Sequence, residues 1–483
     1  MKTLWASFVL LLALAAIAAS ASAATVVPAG FQARQLPIPR ANEAPVPGYV
    51  NGLRLPTAID FAPDGKMFVS DWLGRVKVFD SVNDITPTLS IDIVNEVHSF
   101  GDRGLLGMKL DPAFGSVGHN FIYLAYAYDQ ALGSATPPKP EYVDGGDDCK
   151  NEPPYTDCVI SGRVVRIALN PATGVAAAGA IEPPQQVLVH SWCQQFNSHS
   201  VGDLEFDASG ALLVSGGEGA NYAEIDYGQF SNPCGDPVDE GGSMRAQDVQ
   251  TPFPHDQTEY SGTVIRIDPA TGEALPSNPL FASADVQARR ILAYGLRNPF
   301  RIEFRPGTSE LYVADVGQND WEELDRFSLG GGAPNFGWPC FEGANGFNQV
   351  APAWQDLAAA GHAPLCQNLY ASPGLVTAPV FAYGHSNANP LPAGLLFEGD
   401  ECDPSPGGAF SGLAFYEPAG VPAEAVFPAP LQGALFMGDA ARGCIWVAAA
   451  GVGGQPDFST VANFATGGIS PVDIVQGPDG ALY

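Results

Sequence analysis

The sequence predicts an all-β chain folded as a β-propeller of about six blades with long loops between strands. Three observations lead there: one hairpin phrase recurs along the chain, a third-strand phrase follows several of its copies, and 55 glycines and 43 prolines punctuate the 483 residues with turns. A two-sheet sandwich seldom repeats a single hairpin so often.

The hairpin phrase is an alternating apolar strand, a turn rich in Pro, Asp and Gly, and a second strand. That is the period-two pattern a half-buried antiparallel pair requires. Its copies span 58–71 around Pro63-Asp64-Gly65, 204–215 around Ala208-Ser209-Gly210, 302–315 around Pro306-Gly307, and 474–483 around Pro478-Asp479-Gly480. A degenerate copy joins 108–112 to 121–126, and 412–416 marks another. Third strands are expected at 74–78, 162–167, 262–267 and 443–447. Helix is expected nowhere beyond one short turn at 356–361. The polar insertions 130–158, 222–261 and 341–400 are expected as loops on one face, where function usually sits. The last hairpin stops at Tyr483 with no third strand, so the final blade is expected to be incomplete unless residues 30–36 pair there and close the ring.

Residues 1–23 carry Lys2, an apolar run at 9–18 and the small-residue tripeptide Ala21-Ser22-Ala23, the pattern of a secretory signal, leaving 24–483 as a single propeller domain. The run is shorter than the roughly 20 residues that span a bilayer, and no later stretch is long and uncharged enough, so a secreted or periplasmic protein is expected. Cys149, Cys158, Cys193, Cys234, Cys340, Cys366, Cys402 and Cys444 all follow the signal, which in an oxidising compartment points to disulfides. Sequence neighbours favour 149 with 158, 193 with 234 and 340 with 366, although spacing does not fix connectivity. No C-x-x-C pair is present, which argues against a thiolate metal site. The formal net charge of −30 repels phosphate backbones and excludes nucleic acid as a partner, while suiting divalent cations. Most of the carboxylates have the ordinary role of a solvated surface.

Three stretches together carry a resemblance: 197–206, Asn-Ser-His-Ser-Val-Gly-Asp-Leu-Glu-Phe; 295–300, Gly-Leu-Arg-Asn-Pro-Phe, followed by 315–323, Asp-Val-Gly-Gln-Asn-Asp-Trp-Glu-Glu; and 335–339, Asn-Phe-Gly-Trp-Pro, with Glu342-Gly343. In order and spacing the chain from about 52 to 483 resembles the soluble pyrroloquinoline-quinone (PQQ) dependent sugar dehydrogenases, the glucose/sorbosone dehydrogenase family of six-bladed propellers. The Gly-Gln-Asn-x-Trp-Glu-Glu string also resembles the Hedgehog-interacting-protein-like branch.

The resemblance implies an exported oxidoreductase that oxidises a sugar hydroxyl and passes electrons to an external acceptor. His199 matches the family's general base, a task suited to imidazole because its pKa lies near working pH. Arg297 and Asn298 match residues contacting quinone and substrate, where a guanidinium grips a carboxylate through two bonds. Gly317 and Gln318 match positions whose carbonyls hold a cofactor-bridging Ca²⁺, although the family has Pro at the second. Glu323 matches a ligand of a structural calcium pair, and Phe336 replaces the family's usual Tyr. Arg442 falls about where the family places a cofactor arginine. Each also has a plainer reading: a His satisfying a turn, an Arg paired with a neighbouring acid at a hairpin, an exposed strand end at Glu322-Glu323, a charged blade turn at Arg442.

The main departure from the family concerns cations. No Lys follows Lys150, and between Arg326 and Tyr483 the only side chain certain to be cationic at neutral pH is Arg442, so the family's late lysine is missing or replaced. Arg54 and Arg103 are candidates to supply charge from early blades. The alternative is a catalytically silent, calcium-containing propeller that binds carbohydrate or protein, and a lactonase-like hydrolase is a third option.

Overall fold

Period-two alternation makes each hairpin bury a face, and five of them grow into four-stranded antiparallel sheets. A computed structural model describes residues 25–36, 53, 55–130, 159–230, 234–236, 238–250, 258–343, 350–385, 396–397 and 399–483. The expected signal, Arg54, Cys149 and Cys158 lie outside the described residues.

The first sheet holds β1 (Pro56–Phe61), β2 (Met67–Asp71), β3 (Arg75–Phe79) and β4 (Thr88–Asp92). The second holds β5 (Leu105–Leu110), β6 (Phe121–Tyr128), β7 (Ile160–Ala168) and β8 (Gln186–Gln194). The third holds β9 (Val201–Phe206), β10 (Leu212–Gly216), β11 (Thr263–Ile267) and β12 (Ile291–Tyr294). The fourth begins with β13 (Pro299–Phe304), β14 (Glu310–Asp315) and β15 (Trp321–Ser328). It is completed only after a detour through a ribbon of β16 (Phe341–Gly343) and β17 (Val350–Pro352) and the helices α1 (Gln355–Ala359) and α2 (Pro364–Ala371), when β18 (Phe381–Gly384) pairs with β15. The fifth holds β19 (Phe410–Phe415), β20 (Leu435–Asp439), β21 (Cys444–Ala448) and β22 (Ala462–Thr466).

The first strands form the inner wall: β1 lies against β5, β5 against β9, β9 against β13 and β13 against β19. Apolar side chains fill the space between neighbouring sheets, for example Phe68, Ile91, Leu105, Tyr126 and Val165 between the first and second. Each first hairpin carries a register shift at the start of its inner strand: between Pro56 and Ala58, Leu105 and Gly107, Pro299 and Arg301, Phe410 and Gly412, and opposite Val201 between Val214 and Gly216. Such bulges bend a strand and re-aim the residues beside it. Arg103, His199, Arg297 and Gly408, each two residues before an inner strand, therefore occupy equivalent places at one end of the wall.

Among the described residues the expectation of six blades is corrected to five. The sixth copy of the phrase makes reciprocal backbone bonds, Val475 N–H to Tyr483 C=O at 3.0 Å and Tyr483 N–H to Val475 C=O at 2.9 Å, but builds no four-stranded sheet. It sits beside the first sheet, where Asp473 accepts from Ile59 N–H at 3.0 Å and Tyr483 meets Phe61 edge-on. Residues 30–36 do not pair with that hairpin. Instead Val26 bridges to Thr466 of β22, and Phe31 packs edge-on against Phe427 and Phe464. Helix α2 was not anticipated; Pro364 starts it and Cys366 and Leu369 are its buried positions.

Disulfides join Cys193 to Cys234 and Cys340 to Cys366 as expected, and Cys402 to Cys444, a pair not proposed from spacing. Among the described residues no helix is long and apolar enough to cross a membrane. The Cys402–Cys444 bond closes a separation of 42 residues between the segment before β19 and β21. Replacing both cysteines by Ala should cost about 2–4 kcal/mol of unfolding free energy. Guanidinium titration would measure this, and an unchanged midpoint would show that the bond constrains nothing.

Candidate functional site

His199 sits two residues before β9 with φ of 51°, a left-handed backbone that a non-glycine residue adopts only when its surroundings compel it. The compulsion is visible in its bonds. The His199 carbonyl accepts from Gly219 N–H at 3.0 Å, its own N–H is bound by the Asp102 carboxyl, and a Cβ at Gly217 would lie only 2.5 Å from the His199 oxygen. The imidazole is 4 % exposed, and its Nδ1 lies 2.9 Å from Glu218 Oε1.

Glu218 follows β10 and is 1 % exposed. Its other oxygen accepts from the Trp338 indole N–H, and its backbone N–H donates to the Arg297 carbonyl at 2.9 Å. Burial pushes this carboxyl up, but the bond from His199 and the charges of His199 and Arg297 outweigh it and leave it below the usual range. For His199 burial comes first and Arg297 second, both disfavouring the imidazolium, and together they overcome Glu218 and Asp102. Its pKa therefore lies below the ordinary 6.5, leaving a neutral imidazole at neutral pH.

Arg297 precedes β13, and its Nη1 donates to two carbonyls of the turn after β14, Val316 at 3.0 Å and Gly317 at 2.6 Å. Its guanidinium also lies over the Trp338 ring at 5.5 Å. Its Nε is buried without a hydrogen-bond partner and stands 3.9 Å from Glu218 Oε1, too far for a bond. Asn298 is buried beside it, its N–H bonded to Asp315 Oδ1 at 2.6 Å and its carbonyl to Val316 N–H at 3.1 Å. Burial lifts Asp315 to about 7 despite those backbone bonds.

The turn after β14 is shaped by its glycine: a Cβ at Gly317 would lie 1.6 Å from the Trp321 carbonyl. It presents two faces. Its carbonyls face Arg297, whereas Glu342 Oε1 accepts from the N–H groups of Gln318 at 2.8 Å and Trp321 at 3.2 Å, a compact backbone nest. Glu323, on β15, accepts from Gly343 N–H, and burial together with Asp315 pushes its carboxyl well above the usual range. Two residues on, Asp325 is fully buried and neither carboxylate oxygen has a partner. Among the described residues no group of three or more acidic, His or Cys side chains is arranged to hold a metal ion.

His199, Arg297, Asn298, Gly317 and Gln318 thus lie in one connected cluster. Glu323 stands on the adjoining strand. Arg442 belongs to the fifth sheet, its side chain 0 % exposed, 3.6 Å from Asp439, packed over Tyr383 at 4.9 Å and donating to the Gly384 carbonyl. Sequence reading passed over Glu218, Asp102 and His385, and treated Glu322 only as a strand end. Glu218 could have been found: in Gly216-Gly217-Glu218-Gly219 it is a lone acid among glycines at a strand end. His385 follows β18, and its Nδ1 is held by Oε1 of the buried Glu322.

A separate cavity of about 320 Å³, lined by Asp60, Lys109, Glu205 and Asp207, lies at the turns of the first hairpins. The six residues of β9, at roughly 3.3 Å each, separate that end from His199.

A family model for glucose/sorbosone dehydrogenases matches residues 53–361. The HIPL2 protein of Arabidopsis thaliana is 22 % identical over 365 residues, covering 68 % of this chain and 45 % of the relative, so the chain spans about half the length of that curated relative. Among solved structures, a protein of Thermus thermophilus described as a putative oxidoreductase (glucose dehydrogenase) is 19 % identical with a TM-score of 0.55, covering 90 % of each chain. The PQQ-bound aldose sugar dehydrogenase of Streptomyces coelicolor is 16 % identical with a TM-score of 0.50, covering 86 % of this chain and 82 % of that one. At these identities the two structures speak to the fold alone, which they share as a propeller. The family match spans well over half of the sequence, and the chain belongs to the glucose/sorbosone dehydrogenase family.

Proposed function

We propose that this protein is an exported oxidoreductase that removes a hydride from the carbinol carbon of a sugar and a proton from its hydroxyl, with His199 as general base. The buried His199–Glu218 pair beside Arg297 carries the proposal. A base must be unprotonated before reaction, and burial with Arg297 keeps the imidazole neutral. Glu218 accepts the Nδ1 proton, which leaves Nε2 as the basic atom, and its carboxylate then stabilises the imidazolium formed when Nε2 takes the hydroxyl proton. The Trp338 indole holds the other Glu218 oxygen and so fixes the pair's orientation.

Bound PQQ would supply the two-electron acceptor for the hydride. The residues present fit such a group in two respects. The Gly317 and Gln318 carbonyls belong to a turn whose Val316 and Gly317 oxygens already accept from a cation, the Arg297 guanidinium, and carbonyls of this turn would be the ones to hold a Ca²⁺. Arg297 Nε is a buried donor without a partner, suited to an anionic oxygen. Arg442 and Asn298 would serve by holding neighbouring backbone in place. At Glu323 the unpartnered carboxylate of Asp325 favours a second, structural cation. The sugar substrate and the external electron acceptor rest on family membership.

One observation favours a second reading, a propeller binding carbohydrate or protein without catalysis: the Arg297 and Arg442 guanidiniums are engaged by protein acceptors. Calorimetric titration of the calcium-loaded protein with PQQ separates the two, since a silent module takes up calcium and gives no heat with the quinone.

With quinone, calcium and a panel of aldoses, His199→Ala should lower kcat by about 10²–10⁴-fold while calcium still raises the melting temperature. Retention of full turnover would remove His199 as the base. The acid limb of kcat/KM should fall below pH 6.5, because the imidazole is active when neutral and its pKa is depressed. A limb above that value would contradict the buried, Arg297-facing environment. Glu218→Gln, which loses the carboxylate but keeps the shape, should lower kcat more than it raises KM, measured on the same aldoses.

A further inference from the structure

Arg297 is not the only cationic group at the turn after β14. His385 is tied to the same turn, its backbone N–H donating to the Asp320 carbonyl at 2.9 Å. Its Nδ1 is held by Glu322 Oε1, while Glu322 Oε2 accepts from Phe410 N–H at 3.0 Å, so the fully buried carboxylate is locked from both sides. Nε2 has no hydrogen-bond partner among the described residues, and the side chain keeps 22 % of its surface exposed. The arrangement repeats that of His199 on Glu218, and Arg297 lies close enough to act electrostatically on both imidazoles.

The charged groups around His385 come from several elements: Glu322 on β15, Glu342 on β16, Arg297 before β13, and Arg442 with Asp439 beside Gly384. Burial disfavours the imidazolium, but the bond and charge of Glu322 outweigh it and raise the pKa above 6.5, which favours the doubly protonated ring. Two donors of positive groups, Arg297 Nε and His385 Nε2, therefore flank one turn without acceptors of their own. A group that satisfies both is an anionic oxygen, and a charge-assisted bond to it is the strong kind.

We infer that His385, oriented by Glu322, donates Nε2–H to a carboxylate of an anionic ligand held beside Arg297. His385 thereby supplies positive charge where the sequence has no lysine after Lys150. The inference rests on the quinone-binding reading above and names one of the residues that would carry it.

The test is calorimetric titration of the calcium-loaded protein with PQQ at pH 7, on wild type, His385→Gln and His385→Lys. His385→Gln should bind about tenfold more weakly, and His385→Lys, which restores a cation, should return to within about threefold of wild type. If wild type binds and His385→Gln binds equally well, His385 is not a contact and this inference is overturned while the quinone reading stands. If both variants lose affinity alike, the imidazole acts only in shaping the site, and the inference again fails. If wild type gives no heat with PQQ, the quinone reading itself falls and takes this inference with it.

Discussion

The buried guanidinium of Arg297 is the contact on which the arrangement of the mouth depends. A charge this deeply enclosed is tolerated only when fixed acceptors surround it. It finds them on two sheets: the Val316 and Gly317 carbonyls after β14 and, at longer range, Glu218 after β10. Removing any one of these would leave a buried charge short of its partners, so the turn, the carboxylate and the aromatic face of Trp338 are held as a unit. His199 inherits its environment from that unit, because the same cation that orders the turn also disfavours protonation of the imidazole.

The repeat explains why these groups meet. Every inner hairpin has a bulge at the same place, and the residue two positions earlier points to the same end of the wall. Evolution of a site on such a scaffold needs only side chains of suitable chemistry at equivalent positions of neighbouring blades. Arg103, His199 and Arg297 are three such side chains, and Glu218 and Gly317 are matched in the same way, each lying two residues past the second strand of its sheet. The apolar layers between sheets hold the blades in fixed relation, so sub-ångström placement at the mouth follows from packing some distance away.

Carboxylates outnumber cations at the mouth. Glu218, Glu322, Glu342, Asp315 and Asp439 are all buried, against Arg297, Arg442 and the His385 imidazole, His199 being neutral. Burial raises several of these carboxyls, Asp315 to about 7 and, with the charge of Glu322, Asp439 to about 6. A site so rich in carboxylate is suited to a divalent cation, and it favours an anionic ligand only where that cation and the donors of Arg297 and His385 act together.

The all-β class, the hairpins and third strands, two favoured cysteine pairings and the His199, Arg297 and Gly317 stretches were legible in the sequence. These are local properties: alternation at period two, turn chemistry, cysteine spacing and short motifs all survive without knowledge of what lies opposite. That the described residues build five full blades is settled by tertiary contacts, because the last hairpin and the first sheet are joined across more than 400 residues of sequence, as in Asp473 with Ile59. Tertiary packing also sets the partners: Glu218 for His199, Glu342 for the turn of Gly317, and Glu322 for His385 are carboxylates among 52 acidic residues, and of the three only Glu218, a lone acid among glycines, carries a local cue. Whether an acid is solvated or buried against a cation depends on packing between sheets, and that information is absent until the chain closes around it.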